Sequence, residues 1–291
     1  MKTKKLIKQV IFLNTIIANI YYKKRYGNDI SDDLLISRIR QIAHRFDHRL
    51  MKAMSAKKED LYEIEYLLNI AAHRGLKFED SLMWALSLYA MAKLNAVNSY
   101  TLKLKEKKDN NNSILSKLIK ERRSVRKWED DKVDLELIKD IIRTSLWSPS
   151  SCNRQPIRII ILEDEQKEFI KKYFYGSFWY NAPVQLLVFC NISAYSNTDI
   201  FFPYLDGGAF IQNMLLLLHE AGLGACWLGF KKWNTKKEFF CDKKEFDNFH
   251  EYFDLGEEFI PISMIVAGKY KLIPKAPARQ SSDTVIIRGK E

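Results

Sequence analysis

Asp206-Gly207-Gly208-Ala209-Phe210-Ile211-Gln212-Asn213, continuing through Met214 to Leu218 and then His219-Glu220-Ala221-Gly222-Leu223-Gly224-Ala225-Cys226-Trp227-Leu228-Gly229, is the stretch on which the fold turns. The run from Tyr204 to Ala221 is apolar nearly all round, which predicts a long buried helix. Gly207 and Gly208 open it and permit very close packing, and Gly222 and Gly224 terminate it. Ala225 to Leu228 is short enough to be a strand, and Gly229 beyond it lets backbone approach a planar ligand. A buried helix feeding a short strand belongs to a layered fold in which helices cover a sheet.

On either side of this unit the pattern holds. Ile157 to Leu162, Val184 to Cys190, Phe259 to Ala267 and Thr284 to Ile287 read as strands, and Ile114 to Glu121 and Leu135 to Leu146 as helices. Strands interleaved with helices give an α/β or α+β domain, and the continuous apolar strands imply a sheet covered on both faces. Residues 1–106 read as helix throughout. Leu6, Val10, Leu13, Ile17 and Ile20 share one helix face, Ser31-Asp32-Asp33 starts a helix through Leu50, and Lys58 to Ala72 and Phe78 to Leu94 follow. His73-Arg74-Gly75 has the cation-then-glycine character of a helix end. The polar Lys107 to Asn112 separates a helical N-terminal extension, 1–112, from a second domain, 113–291.

The composition excludes several function classes. Hydrophobic residues make up 47% and charged residues 29% of the 291, a core-forming balance. Cys152, Cys190, Cys226 and Cys241 lie far apart with no CxxC pair, so neither a zinc spacing nor a disulfide framework is present, and reduced thiols in a cytoplasmic protein are expected. Asn14 and Asn19 interrupt the apolar run after the first lysines, which argues against a secretory signal and for a helix that packs on protein. Contact of that helix with an anionic membrane surface, through Lys8, Lys23, Lys24 and Arg25, is the lesser alternative, and no run is long enough to span a bilayer. The formal charge of +11 favours anionic partners. Basic residues are nevertheless interleaved with acids, as in Lys57-Lys58-Glu59-Asp60, and form no nucleic-acid stripe.

Two further segments carry chemistry. Arg122-Arg123-Ser124-Val125-Arg126 gathers three guanidiniums and a hydroxyl, a good receptor for a phosphate, although taken alone it reads first as a solvated basic helix end. Ser148-Pro149-Ser150-Ser151-Cys152-Asn153-Arg154-Gln155-Pro156 is dense in small hydrogen-bonding groups held extended by two prolines, suited to a flat polar ligand edge and also to an ordinary turn. His44 and His48 share a helix face with Asp47 nearby, yet a metal would require a further ligand, so no metal site is expected. Tyr173 to Tyr180 is an aromatic cluster, read as packing first and as a roof over a substrate second.

In this order and at this spacing, the Arg122–Arg126 segment, the Ser148–Pro156 loop and the Asp206–Gly229 unit resemble the nitroreductase family of FMN enzymes, over about residues 114–291. The resemblance implies an α+β, FMN-binding sheet covered by helices and a homodimer. It also implies that Arg122 and Ser124 grip the FMN phosphate and ribityl chain, with Arg123 among the binding residues and Arg126 near the pyrimidine edge. Pro149, Ser150, Ser151 and Asn153 would approach the flavin from the partner subunit, Leu228 and Gly229 would offer backbone amides, and Arg279 would complete the phosphate site. An additional Asn and Lys found on the pyrimidine edge in some members have no matching motif between Asn191 and Tyr204, so beyond Arg126 the contacts to N1 and O2 are not assigned.

The activity so implied is NAD(P)H-dependent: NADH or NADPH reduces FMN, and a quinone, nitro compound or specialised metabolite takes the electrons in ping-pong order. No side-chain acid, base or nucleophile is then required, and His219 and Cys226 are structural. The alternatives are flavin oxidation of a pathway intermediate without nicotinamide, and a flavin-binding scaffold whose extension recruits a partner. Because the N-terminal helices carry many apolar positions, Leu61, Ile64, Leu67 and Leu68 among them, they are expected to pack as a cap on the flavin domain.

Overall fold

The computed structural model describes residues 15–26, 30–51, 54–76, 80–94, 113–196, 199–230 and 243–274, with Ala276 and Ile286. The polar stretch 107–112, Arg279, all but Ile286 of the strand expected at Thr284 to Ile287, and the early positions Leu6, Val10 and Leu13 lie outside these residues.

Four helices form the N-terminal unit: α1 (Thr15–Tyr26), α2 (Asp32–Met51), α3 (Lys58–His73) and α4 (Asp80–Lys93). The Ser31 hydroxyl accepts from the Leu34 amide at 3.3 Å, and Asp32 and Asp33 place negative charge in the first turn of α2, where the helix dipole favours it. Leu35, Ile39, Ile42, Phe46 and Leu50 recur every three or four residues and are buried against Ile64, Leu67 and Leu68 of α3 and Leu82, Leu88 and Tyr89 of α4. Periodicity does not disclose the second ingredient, three buried acids on α3. Glu63 meets Arg38 at 2.7 Å and accepts from Tyr26, Asp60 meets Arg45 at 3.0 Å, and Glu65 meets Lys93 at 3.6 Å. Burial alone would raise the Glu63 carboxyl, but the bonds from Tyr26 and Arg38 hold it below its ordinary range, so the buried charge is compensated.

The second unit contains α5 (Ile114–Glu121), α6 (Leu135–Ser145), β1 (Ile157–Ile161), α7 (Asp164–Ile170), β2 (Val184–Asn191), α8 (Phe202–Glu220), β3 (Gly224–Leu228), α9 (Lys243–Tyr252) and β4 (Phe259–Gly268). The strands form one sheet of order β1-β2-β4-β3, antiparallel at every pairing. All of β2 is buried, as a strand covered on both faces must be. Its Leu186, Val188 and Cys190 face α6 and α8, and its Leu187 and Phe189 face the aromatic layer of Phe174, Trp179 and Phe249. The aromatics around residue 174 are thus largely core. From Ser31 to Gly268 the expected helices and strands fall within one or two residues of their observed ends, while α1 runs past the expected Ile20 to Tyr26 and α7 and α9 were not expected.

The β2–β4 register shifts between Val188 and Phe189, which face Ser263 and Pro261. One extra residue, Ile262, sits between those partners, a bulge at which a proline without an amide hydrogen is tolerated. The bulge reverses the phase of β4: Ile260 and Ile262 share the α8 face with Ile265 and Ala267, two even and two odd positions. It also drives Ile262 toward α8. A Cβ on Gly207 would stand 2.9 Å from Ile262 Cγ2, whereas one on Gly208 would meet only Trp227 at 3.9 Å. Gly222, with φ at +75°, ends α8 as expected. Gly224 does not help to end it. It lies inside β3, where a Cβ would stand 2.6 Å from Val125, so its small size serves close packing.

α8 begins at Phe202, so Gly207 and Gly208 lie in its second turn and do not open it as expected, and the two should respond oppositely to alanine. Gly207→Ala forces Ile262 to move and destabilises by about 1–3 kcal/mol. Gly208→Ala gains helix propensity of about 0.5–1 kcal/mol with nothing to displace. Urea midpoints of the two variants measure this, and a Gly207→Ala protein as stable as the parent would disprove the close contact.

Candidate functional site

The arginine-rich segment leaves the end of α5 and runs beside β3. Ser124 bridges to Ala225 in parallel, the Val125 amide donates to the Ala225 carbonyl at 2.9 Å, and the Trp128 indole donates to the Gly224 carbonyl at 2.8 Å. Val125, buried against Gly224, is the wedge that seats the segment. Arg122 and Arg126 consequently both act on one thiol of β3: burial raises Cys226 above its ordinary value and the two guanidiniums pull it back. Arg126 lies over the Phe178 ring at 5.6 Å, and its Nη1 donates to the Ser124 carbonyl at 3.3 Å. Arg123 turns onto its own helix end, donating to the Lys120 carbonyl at 2.6 Å and the Arg122 carbonyl at 2.9 Å. Leu228 is buried at the end of β3, and Gly229 after it is exposed, with nothing within 4 Å of where a Cβ would stand.

The serine-rich loop is held by a different element. Its Ser151 amide donates to both oxygens of Asp206 on α8, at 2.9 and 3.0 Å. Ser150 Oγ accepts from the Gln155 amide at 3.0 Å, and Asn153 Oδ1 accepts from Gln155 Nε2 at 3.1 Å. Pro149 is exposed at the loop's entry. Cys152, Asn153 and Gln155 all have φ just above +50°, a left-handed conformation that costs non-glycine residues energy and persists only where neighbours over-determine it. Arg154 supplies part of that determination: it is buried, donates to Ser151 Oγ at 2.7 Å, pairs with Asp199 at 3.1 Å and lies over the Tyr195 ring.

The structure thus gathers Arg122, Ser124, Arg126, Leu228 and Gly229 around β3, and sets Pro149, Ser150, Ser151 and Asn153 on α8 through Asp206. Among the described residues no group of three metal-ligating side chains forms, His44 and Asp47 included. Sequence reading missed the support of the loop. Asp206 stands first in the decisive stretch, yet its partner Ser151 is 55 residues away and Tyr195 lies 11 residues away across a turn, and only folding brings the three together.

Asp206 accepts from the Tyr195 hydroxyl at 2.6 Å as well, and Tyr195 in turn lies 3.7 Å from the Cys190 thiol, which burial pushes up to about 12. Burial raises the Asp206 carboxyl above its ordinary value against the opposing bonds from Tyr195 and Ser151. A raised folded value means that the folded state keeps a proton which the unfolded chain has already released. The contribution to stability is then greatest below the ordinary carboxylate value of about 4, falls as pH rises toward the folded value, and is level beyond it. Asp206→Asn keeps an acceptor oxygen and should remove that fall from urea midpoints measured across pH. Asp206→Ala leaves the Ser151 amide without its acceptor and should cost about 1–3 kcal/mol more. Identical pH profiles for the parent and Asp206→Asn would refute the assignment.

Known proteins share this architecture. The Nitroreductase family model matches residues 119–175 and 167–269. A Methanothermobacter thermautotrophicus protein, provisionally named an NADH dehydrogenase/NAD(P)H nitroreductase, is 30% identical over 154 residues, which cover 52% of this chain and 74% of that relative. The chloronitrobenzene nitroreductase of Comamonas testosteroni is 41% identical over a shorter span of 51 residues, 18% of this chain and 22% of that protein. Two solved structures share the fold. One, from Desulfovibrio desulfuricans and provisionally described as a nitroreductase in complex with FMN, has a TM-score of 0.52 at 24% identity, covering 62% of this chain and 99% of its own. The other, a nitroreductase-like family protein from Bacillus cereus, has a TM-score of 0.50 at 21% identity, covering 62% of this chain and all of its own, 100%. A match through the arginine segment, the serine loop, the α8–β3 unit and the sheet itself makes this chain a member of the nitroreductase family.

Proposed function

We propose that the protein is an FMN-dependent oxidoreductase that uses NADH or NADPH to reduce an electron-poor acceptor such as a quinone or nitro compound. The observation that carries this reading is the seating of Arg122, Ser124 and Arg126 along β3, beside the open backbone of Gly229. The donor set fits the cofactor: two guanidiniums whose fields overlap on β3, a hydroxyl, and backbone with no side chain in the way. Bound FMN would supply a two-electron centre that takes hydride from the nicotinamide and passes it to the acceptor in ping-pong order.

The chain's own residues bind and orient. Arg122, with Arg279 from the C-terminal segment, would neutralise the phosphate, and Ser124 would hold the ribityl chain. Arg126, propped on Phe178, would favour negative charge on the pyrimidine edge, where reduction places it. The Leu228 and Gly229 amides would face the other edge. Pro149, Ser150, Ser151 and Asn153 would reach the cofactor of a second copy, which makes the working unit a homodimer. Uncovered apolar surface supports that assembly. α5 buries none of its residues although Ile114, Leu115 and Ile119 line it, and Trp147 is 89% exposed, as Phe201 and Leu205 are in large part. Among the described residues no helix is long and apolar enough to cross a membrane.

Purified protein should be yellow, with non-covalent FMN that bleaches on addition of NADH or NADPH. A colourless protein that takes up no FMN would overturn the proposal. Arg122→Ala removes a charge-assisted contact and should weaken FMN binding by roughly 1.5–3 kcal/mol; unaltered affinity would remove Arg122 from the site. If the loop completes a neighbour's site, dilution to the monomer should release FMN in step with dissociation. A monomer that keeps its flavin would exclude the shared site.

A further inference from the structure

The N-terminal unit touches the second unit through the polar face of α2, and the contact converges on one carboxylate. Asp33 Oδ2 accepts from Asn191 Nδ2 at 2.8 Å, and Asp33 Oδ1 accepts from Arg158 Nη2. Both partners lead to the serine-rich loop. Arg158 donates through Nη1 to the Ile157 carbonyl at 3.0 Å and to the Gln155 carbonyl at 3.4 Å, at the loop's exit. Asn191, almost wholly buried at the end of β2, accepts through Oδ1 from the Ser193 amide at 2.9 Å and hydroxyl at 2.6 Å, which fixes the turn Ile192–Ala194. Tyr195 follows that turn and holds Asp206, which holds the Ser151 amide. Ser37 and Arg40, four and seven residues beyond Asp33 on the same helix face, reach the Ala194 and Arg154 carbonyls at 3.4 Å each.

We infer that Asp33 is a positioning residue for the Ser148–Pro156 loop, so that the helical extension sets the shape of the cofactor site, an inference whose flavin consequence rests on the function proposed above. The physical reason lies in the loop's backbone. Three residues in left-handed conformation relax unless contacts from outside hold them, and the two routes from Asp33 grip the loop at its exit and, through Asp206, at Ser151. The second unit already ties this end of the loop, with the Asn191 amide donating to the Pro156 carbonyl at 2.9 Å, and Asp33 adds the side-chain link that joins Arg158 to Asn191. Asp32, one residue earlier, pairs with Arg74 inside the N-terminal unit at 2.7 Å and provides the natural control.

Amide hydrogen exchange of the full-length protein tests the coupling without added FMN. In Asp33→Ala the Ser151 and Gln155 amides should exchange about fivefold faster, while amides in the α2–α3 core keep their rates. FMN titration of the same variant should show a dissociation constant raised about fivefold, and Asp32→Ala should alter neither quantity. Asp33→Asn, which keeps the volume and loses the charge, serves where the alanine variant does not fold and should loosen the same two amides. Unchanged loop exchange in Asp33→Ala or Asp33→Asn, or equal loosening in Asp32→Ala, would overturn the inference. Faster loop exchange with an unchanged FMN dissociation constant would overturn its flavin consequence. Wild-type protein that takes up no FMN would sink the cofactor reading instead, and the exchange rates would still decide the coupling.

Discussion

The contact between Gly207 of α8 and the bulged Ile262 of β4 is the constraint from which the rest of the second unit follows. It fixes how deeply α8 sits on the sheet, because a single methyl group at Gly207 would already crowd the isoleucine. Depth and rotation of α8 then determine where Asp206 points, and Asp206 fixes the Ser151 amide. On the neighbouring strand the Gly224–Val125 contact seats the arginine segment in the same way. Two missing side chains thus locate both halves of the site. This also explains why the decisive sequence is a helix and strand rich in glycine.

Electrostatics is handled by pairing in both units. The acids of α3 are buried beside arginines and a tyrosine, and Asp206 is buried beside an amide and a tyrosine hydroxyl. A buried carboxylate with few partners is expensive, whereas one whose lone pairs are all engaged confers a defined geometry. Glu63 falls below its ordinary value and Asp206 rises above it because the first meets several cations and the second meets chiefly neutral donors. The site-supporting acid is therefore the less comfortable of the two, as befits a group that maintains a strained loop.

The N-terminal helices combine an apolar core of their own with a polar seam against the serine-rich loop. The core is built from the extension's own residues, and the seam gives it leverage on the loop. The family model begins at residue 119, so this leverage is an addition to the common architecture. From its apolar faces the extension was expected to pack as a cap on the flavin domain. Those faces bury one another instead, and the polar face of α2 makes the contact.

By itself the sequence determined the elements and the family. Apolar periodicity located most of the helices and strands to within a residue or two, since burial of one face is a local pattern, but it did not disclose α7 or α9. The spaced arginine, serine and glycine motifs identified the nitroreductase family because their order along the chain is itself the signal. What tertiary structure alone decided were the relations across distance. The bulge that turns Ile262 toward Gly207 and the role of Gly224 as a seat for Val125 instead of a helix stop depend on which segments meet. So does Asp33, which reads locally as a favourable first-turn residue of α2 and is shown only by folding to join Arg158 and Asn191, 125 and 158 positions away. Short-range chemistry is written in neighbouring residues. A hydrogen bond between distant residues has no local signature, because either partner alone is an ordinary polar side chain.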